Sequence, residues 1–471
     1  MTSPARPVLP DPERSRQRGR SERAAAPRSS LSRLSERPAN FDVVELIKRS
    51  SVGRLDDLTA LRYERMIESP FNFFRGAAQI QSADLVRDGG TRLEVQLCGD
   101  AHLSNFGVFS SPEGHAVFDV NDFDETARGP FEWDVKRLAA SVAIAGAAVN
   151  LTKPQIHDSV VAASSSYRMS MLEFARESTL SIWHTALDVD QVMKELDDFF
   201  TDEASTAVSD VMARAKSPGR RTFERMITRV DGVPQIVSNP PLLVRIESLG
   251  VGAGLGSSLD FLRGVLASYA TTLSSDRQEL LSQLTVVDGA RKVVGVGSVG
   301  LRCYVVLLVG RDADDPFFLQ IKEAGDSAID ANRGTPNELP PGERVVRGQR
   351  IIQATPDLLL GWCSAEDANG VARSYYVRQL YDNKASVNVK SLGAQSLAAY
   401  ARACAWVLAR AHARSGQAIA IAGYLGNSSN FDEAIATYAN IFADRNREDW
   451  ESLKKAQGNE RLSGESAVAP S

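Results

Sequence analysis

The hydrophobic period of this chain changes twice, and the order of the changes limits what it can fold into. Up to about residue 285 the apolar residues recur mostly at three- and four-residue spacing, as in "FDVVELIKRSSVGRLDDLTALRYERMIESPFNFFRGAAQI" and "GPFEWDVKRLAASVAIAGAAV", a pattern that predicts helices. From 286 to 390 the texture is different. "RKVVGVGSVGLRCYVVLLVG", "PFFLQIKEA" and "SYYVRQLYD" are β-branched and aromatic, broken by Gly, Pro and Asp, and they predict strands with one helix, "GERVVRGQRIIQA", among them. A long helix then returns in "SLGAQSLAAYARACAWVLARAHARSG", with Leu397, Cys404, Leu408 and Ala411 on one stripe. The expected fold class is therefore α+β in two lobes: a helical lobe over 39–285, a small antiparallel β-rich lobe over 286–390, and helices over 391–455 returning to the first lobe. A chain of 471 residues has the length for two lobes plus appendages.

Two ends stand apart. Residues 1–38, rich in Arg, Ser and Pro with no apolar period, read as a disordered tail, and 456–471 as a second loose tail. The first segment has no apolar stretch of the kind a secretory signal needs. Hydrophobic content of 43% and charged content of 24% are ordinary for a globular protein, and a formal charge of −5 gives no general basic field for nucleic acid. The longest apolar runs are strand-sized, so no membrane span is expected. Cys98, Cys303, Cys363 and Cys404 form no CxxC pair, which suits buried reduced thiols in a cytoplasmic protein.

Chemistry concentrates after one strand. In "TRLEVQLCGD" Leu93, Val95 and Leu97 alternate with Glu94 and Gln96, and the strand ends at "CGDAHLSNFG", which holds Asp100, His102 and Asn105. A hairpin follows: "FGVF", a turn at "SSPEG", then "HAVFDVND". No GxxxxGK[ST], HExxH or GxSxG is present, so a P-loop, a zincin and a nucleophile elbow are excluded by their signatures. What remains is oxygen donors. Asn105, Asp119, Asp122 and Asp124 are hard ligands of the kind Mg²⁺ takes when phosphate oxygens complete its shell. Asp100 stands where it can accept a proton from a hydroxyl. Base, amide and metal-holding carboxylate are the minimal set for moving a phosphoryl group.

The run "GVGSVG" sets Gly295, Gly297 and Gly300 in GxGxxG spacing, with Ser298 between them. A dinucleotide fold would open a helix there, but "LRCYVVLLVG" reads as a strand. Glycines between two strands form a flap over phosphates, and Lys322 on the next strand is placed to reach them. A second run, "GVGAGLGSS", reads as a loop with a Ser cap.

Together these residues resemble the protein-kinase-like superfamily, in particular its aminoglycoside and choline phosphotransferase branch. "GDAHLSN" is similar to the catalytic loop of that branch, which implies Asp100 as base, His102 as loop support and Asn105 as a Mg²⁺ ligand. "NDFDETARGPFEWDVKRLA" resembles its metal-binding Asp followed by a Trp-Asp pair, here Trp133 and Asp134, with Asp134 structural. Counting back from that pair favours Asp122 as the metal ligand, and counting forward from Asn105 favours Asp119; Asp122 is preferred because Asp-Phe ends the strand, with Asp119 the alternate. Asp124 is expected in support. The order departs from ordinary kinases, since the catalytic loop precedes the glycine loop, so the resemblance implies a circularly permuted kinase-like fold. Glu343 is the first choice of acidic partner for Lys322 and Glu338 the second. More closely, "LRYERMIESPFNFFRGAA", "LCGDAHLSNFG", "FDVNDFDETARGPFEWDVKRLAAS" and "RVVRGQRIIQA" resemble an uncharacterised bacterial family, domain of unknown function 2252. The implied activity is ATP- and Mg²⁺-dependent phosphoryl transfer to a small-molecule or protein hydroxyl. Adenylyl transfer, a nucleotide-binding regulatory module and a Mg²⁺-dependent phosphohydrolase are the alternatives.

Overall fold

A computed structural model describes residues 9–186, 225–249, 259–335, 337–367, 370–380 and 387–458. The chain opens with five helices: α1 (Pro12–Ala25), α2 (Val43–Arg49), α3 (Asp56–Ile67), α4 (Pro70–Gly76) and α5 (Ala78–Asp88). Their starts follow local chemistry. The Asp42 carboxylate accepts from the amides of Val44 and Glu45, and Ser69 accepts from Asn72 with Pro70 at the first helical position. Strand β1 (Glu94–Leu97) then pairs antiparallel with β4 (Ala127–Pro130), Leu97 opposite Ala127. Between them β2 (Phe106–Ser110) and β3 (Ala116–Val120) form the expected hairpin, Phe106 opposite Val120. Helices α6 (Phe131–Ala148), α7 (Lys153–Phe174) and α8 (Thr179–His184) complete this part.

The second part is a six-stranded antiparallel sheet with a separate two-stranded hairpin. β5 (Ile227–Val230) and β6 (Val233–Ile236) make a hairpin, followed by β7 (Leu243–Arg245), α9 (Leu259–Ala270) and α10 (Ser275–Ser282). Then come β8 (Thr285–Lys292), β9 (Cys303–Val309), β10 (Pro316–Ala324), α11 (Ala328–Arg333), α12 (Pro341–Ile352), β11 (Gly361–Glu366) and β12 (Ala372–Gln379). The six strands lie in the order β11-β12-β10-β9-β8-β7. Val306, Leu308 and Ile321 pack on Leu262 and Tyr269 of α9. On the opposite face Val305, Leu307 and Phe318 pack with Ile236 of the β5–β6 hairpin. Covering both faces explains why β9 is apolar at every position rather than at alternate ones.

The chain then returns. α13 (Ala394–His412) lies on α7, and α15 (Asn430–Gly458) lies on α6 and α7, with α14 (Ala418–Leu425) between them. Phe131 marks the centre of this core, its ring 6.0, 5.8 and 6.2 Å from those of Tyr167, Tyr424 and Phe431. The molecule is a mixed α+β structure with antiparallel sheets. All four cysteines are buried and free. No described helix is long and apolar enough to cross a membrane.

Two boundaries differ from the sequence expectation. Residues 9–38 are ordered against the body: α1 crosses α14 so closely that a Cβ on Gly19 would fall 1.8 Å from the Ala420 carbonyl oxygen. Arg23 donates to the carbonyls of Tyr424 and Gly423 at 2.7 and 2.6 Å, using acceptors that the end of α14 leaves open. The helical lobe does not extend to 285 either, because β7 is the edge strand of the six-stranded sheet and β6 and α9 pack on it. The final helix runs to Gly458; the rest of the second expected tail, the first eight residues and the run "GVGAGLGSS" lie outside the described residues.

Candidate functional site

The site is assembled at the end of β1. Gly99 takes φ +83°, and a Cβ there would fall 1.9 Å from the Glu125 carbonyl oxygen, so the turn needs glycine. Asp134, in the first turn of α6, accepts from the amides of Cys98 and Gly99 at 2.8 and 3.0 Å and also meets His412 Nε2 at 3.2 Å. Trp133 donates its indole N–H to the Gly89 carbonyl at 3.2 Å. Asp134 therefore braces the turn that presents Asp100, while Trp133 ties the start of α6 to the end of α5. The Asp100 carboxylate accepts from Arg137 Nε at 2.7 Å, and Arg137 is itself held by the Gln81 side chain and the Phe74 carbonyl. Burial pushes the Asp100 carboxyl up from its ordinary range, with Arg137 acting against it. His102 Nε2 lies 3.5 Å from Asp100, and burial, together with Arg75 and Arg137, keeps this imidazole well below its usual pKa. Asn105 donates Nδ2 to the Asp100 carbonyl at 2.7 Å, and its own carbonyl receives the Asn121 amide at 2.8 Å. The loop is thereby tied to the end of the β2–β3 hairpin.

Past that hairpin the chain meets the sheet. Lys322, near the end of β10 and 2% exposed, hydrogen-bonds the Asp124 carboxylate and lies 3.6 Å from Asp122. Burial alone would lower the lysine's pKa; Asp122 and Asp124 instead hold it well above the usual value. Asp124 also accepts from Tyr376 Oη at 2.9 Å and Ser298 Oγ at 3.3 Å. Glu125, half-buried next to it, accepts from the Ala328 amide, and desolvation pushes its carboxyl up to about 7.

The glycine run connects β8 to β9, with positive φ at Gly295 and Gly300. Its carbonyls are held from outside. Arg54 donates to Gly297 and Val299 at 2.8 and 2.6 Å, Arg65 to Gly295 at 2.8 Å, and the Leu55 amide to Gly300 at 2.8 Å. The loop separates two cavities. The larger, about 510 Å³, is lined by Asp100, His102, Asn105, Asp122 and Asp124 below and by Gly295–Ser298 above. The smaller, about 300 Å³, is lined by Asp122, Ser298, Lys292, Lys322 and Arg378. Three cations beside a glycine loop make a setting suited to a polyanion.

Three expected residues lie elsewhere. Asp119 is buried in an ion pair with Arg410 at 2.7 Å and accepts from the Ala354 amide, so this carboxylate is committed to the interior and lines neither cavity. Glu343 pairs with Arg347 on the same helix, and Glu338 is exposed; Lys322 finds its acidic partners in the hairpin instead. The next residue, Arg344, points inward and donates to the carbonyls of Asp124 and Gly325 at 2.7 and 2.9 Å. Sequence reasoning missed Arg54, Arg75, Arg137 and Tyr376. Tyr376 lies directly opposite Lys322 in the β10–β12 register, which no single strand reveals. Arg75 had a signal: it is a charge set inside the aromatic run "FNFFRG".

A family described as "Uncharacterized protein conserved in bacteria (DUF2252)" matches residues 54–456. The chain belongs to this family. The DUF2252 match takes in the Asp100 loop, the acidic hairpin, the glycine loop and Lys322, and it begins at Arg54, which holds the glycine loop. No curated protein and no solved structure matched the chain.

Proposed function

We propose that this DUF2252 chain is an ATP- and Mg²⁺-dependent phosphotransferase on a protein-kinase-like fold whose lobes follow in permuted order. One observation carries the reading. Lys322, on β10, the second strand after the glycine loop, meets the acidic run beyond Asp100, His102 and Asn105, although 198 residues separate it from Asp124. The placement of α13 adds support, because Tyr400 of this late helix donates to the carbonyls of Leu103 and Phe106 under the loop.

The donors present fit a Mg²⁺ ion that takes most of its ligands from phosphate and water. Asn105 gives its Nδ2 to the Asp100 carbonyl, which leaves the amide oxygen as its ligand atom, and Asp122 is partly exposed at the cavity wall. Among the described residues no three His, Cys, Asp or Glu side chains form an all-protein metal cage. Bound Mg²⁺ supplies charge neutralisation on the phosphates. Lys322 and the glycine-loop amides bind phosphate oxygens. Asp100, oriented by Arg137, accepts the proton of the acceptor hydroxyl as that oxygen bonds to phosphorus.

The test is transfer from labelled ATP to metabolite and protein pools. The γ-label should appear on an acceptor. Asp100→Asn should retain nucleotide binding and lose about 100-fold or more of transfer, whereas Lys322→Ala should reduce the thermal shift that Mg-ATP gives the wild type. Transfer of the α-label would replace this reading with adenylylation, and binding without transfer would leave a regulatory module. Phosphate release indifferent to Lys322 would point to a hydrolase.

A further inference from the structure

Three arginines line the larger cavity, and the chain engages two of them. Arg49 pairs with Glu45, and Arg54 is committed to glycine-loop carbonyls. Among the described residues the Arg75 guanidinium has no hydrogen-bond or ion-pair partner, and its Nε is buried without one. A largely desolvated cation without a partner is unfavourable in the empty protein and is satisfied by an anion. Burial depresses its pKa, opposed by the carboxylates of Asp100 and Asp122.

Its position is specific. Arg75 closes α4, whose neighbouring side chains Phe73 and Phe74 are buried, so the backbone that carries it is anchored. Its carbonyl oxygen lies against the flap, 3.1 Å from where a Cβ on Gly297 would be. Its charge acts on Asp100 and His102. Arg75 thus stands where the base, the carboxylate of Asp122 and the glycine loop converge.

We propose that Arg75 binds the terminal phosphate of the nucleotide, the group being transferred, and stabilises its charge as it moves. The inference rests on the phosphotransferase reading. In that step the acceptor oxygen bonds to the γ-phosphorus, the bond from that phosphorus to the β-phosphate oxygen breaks, and the hydroxyl proton passes to Asp100. ADP is the leaving group. Arg75 exchanges no bond; its N–H groups donate to the equatorial oxygens.

Affinity for ATP and ADP separates this from other roles, measured by calorimetry with Mg²⁺ and without acceptor. Arg75→Ala should weaken ATP by about 10- to 100-fold and leave ADP within about twofold, because only ATP carries the group in question. Arg75→Lys, which keeps the charge and the stem, should bind ATP more tightly than Arg75→Ala and guards against a variant that fails to fold. Equal losses with both nucleotides, or no loss with either, would overturn the assignment while leaving the phosphotransferase reading intact. A wild-type protein that binds neither nucleotide would overturn both.

Discussion

Asp119 and Asp122 are three residues apart and end in opposite surroundings, and the reason is where β3 stops. Asp119 is still within the strand, opposite Gly107, and turns toward Arg410 in the core. The strand ends at Val120, and Asp122 belongs to the turn that follows, facing the cleft. Counting residues between motifs does not locate a strand end to within one position, which is why both carboxylates satisfied the spacing in the sequence. The two should be separable by experiment. Asp119→Ala leaves the Arg410 guanidinium buried without its carboxylate and should cost about 3–5 kcal/mol of stability in denaturant unfolding. Asp122→Asn should change stability by only about 0–1 kcal/mol and reduce the Mg²⁺ dependence of nucleotide binding in calorimetry. A reversal of these two phenotypes would exchange their roles. At this scale Asp100, His102, Asn105, Asp122 and Lys322 were legible because their chemistry is unusual for their positions. Tyr376 and Arg137 were not, because each acquires its role from a neighbour distant in sequence.

Elements held by apolar stripes were legible, and elements held by backbone were not. α13 places Leu397, Cys404, Leu408 and Ala411 in the core as its periodicity predicts. α1 has no such stripe. Its attachment depends on a close crossing at Gly19 and on Arg23 and Arg28 donating to the last carbonyls of α14, features that leave no hydrophobic period. Gly19→Leu should therefore force α1 off α14 and let its backbone unwind around arginines that are already largely exposed, so that trypsin cuts within residues 12–25 at enzyme levels that spare the wild type. Unchanged digestion would mean that the crossing does not hold the helix. Helix phase explains the remaining error. Successive residues on a helix point about 100° apart, so in α12 Glu343 reaches Arg347 along the helix while Arg344 enters the site.

The path of the whole chain makes the first core a joint product of its two ends. Phe131 and Tyr167 come before the sheet, and Tyr424 and Phe431 come after it. Ion pairs join the same halves: Arg168 with Asp432 at 2.8 Å, and Arg37 with Asp449 at 2.6 Å. A fragment ending at residue 386 should lack a cooperative unfolding transition, as read by circular dichroism; a folded fragment would show that α13–α15 are dispensable. The change of texture near residue 285 did reveal the strand-rich part, but it placed the boundary late, because the short strands β5–β7 carry too few residues to show a period. The pairing of α1 with α14 also sets a schedule. Arg23 and its acceptor on Tyr424 are 401 residues apart, and a ribosome adding about 5–20 residues per second needs roughly 20–80 s to cover that distance. Throughout that interval α1 lacks the α14 surface it crosses. An arginine- and serine-rich segment stays hydrated and monomeric while it waits, so the polarity that makes residues 12–25 look unfolded is the property that lets a newly made chain keep them safely until the last helices arrive.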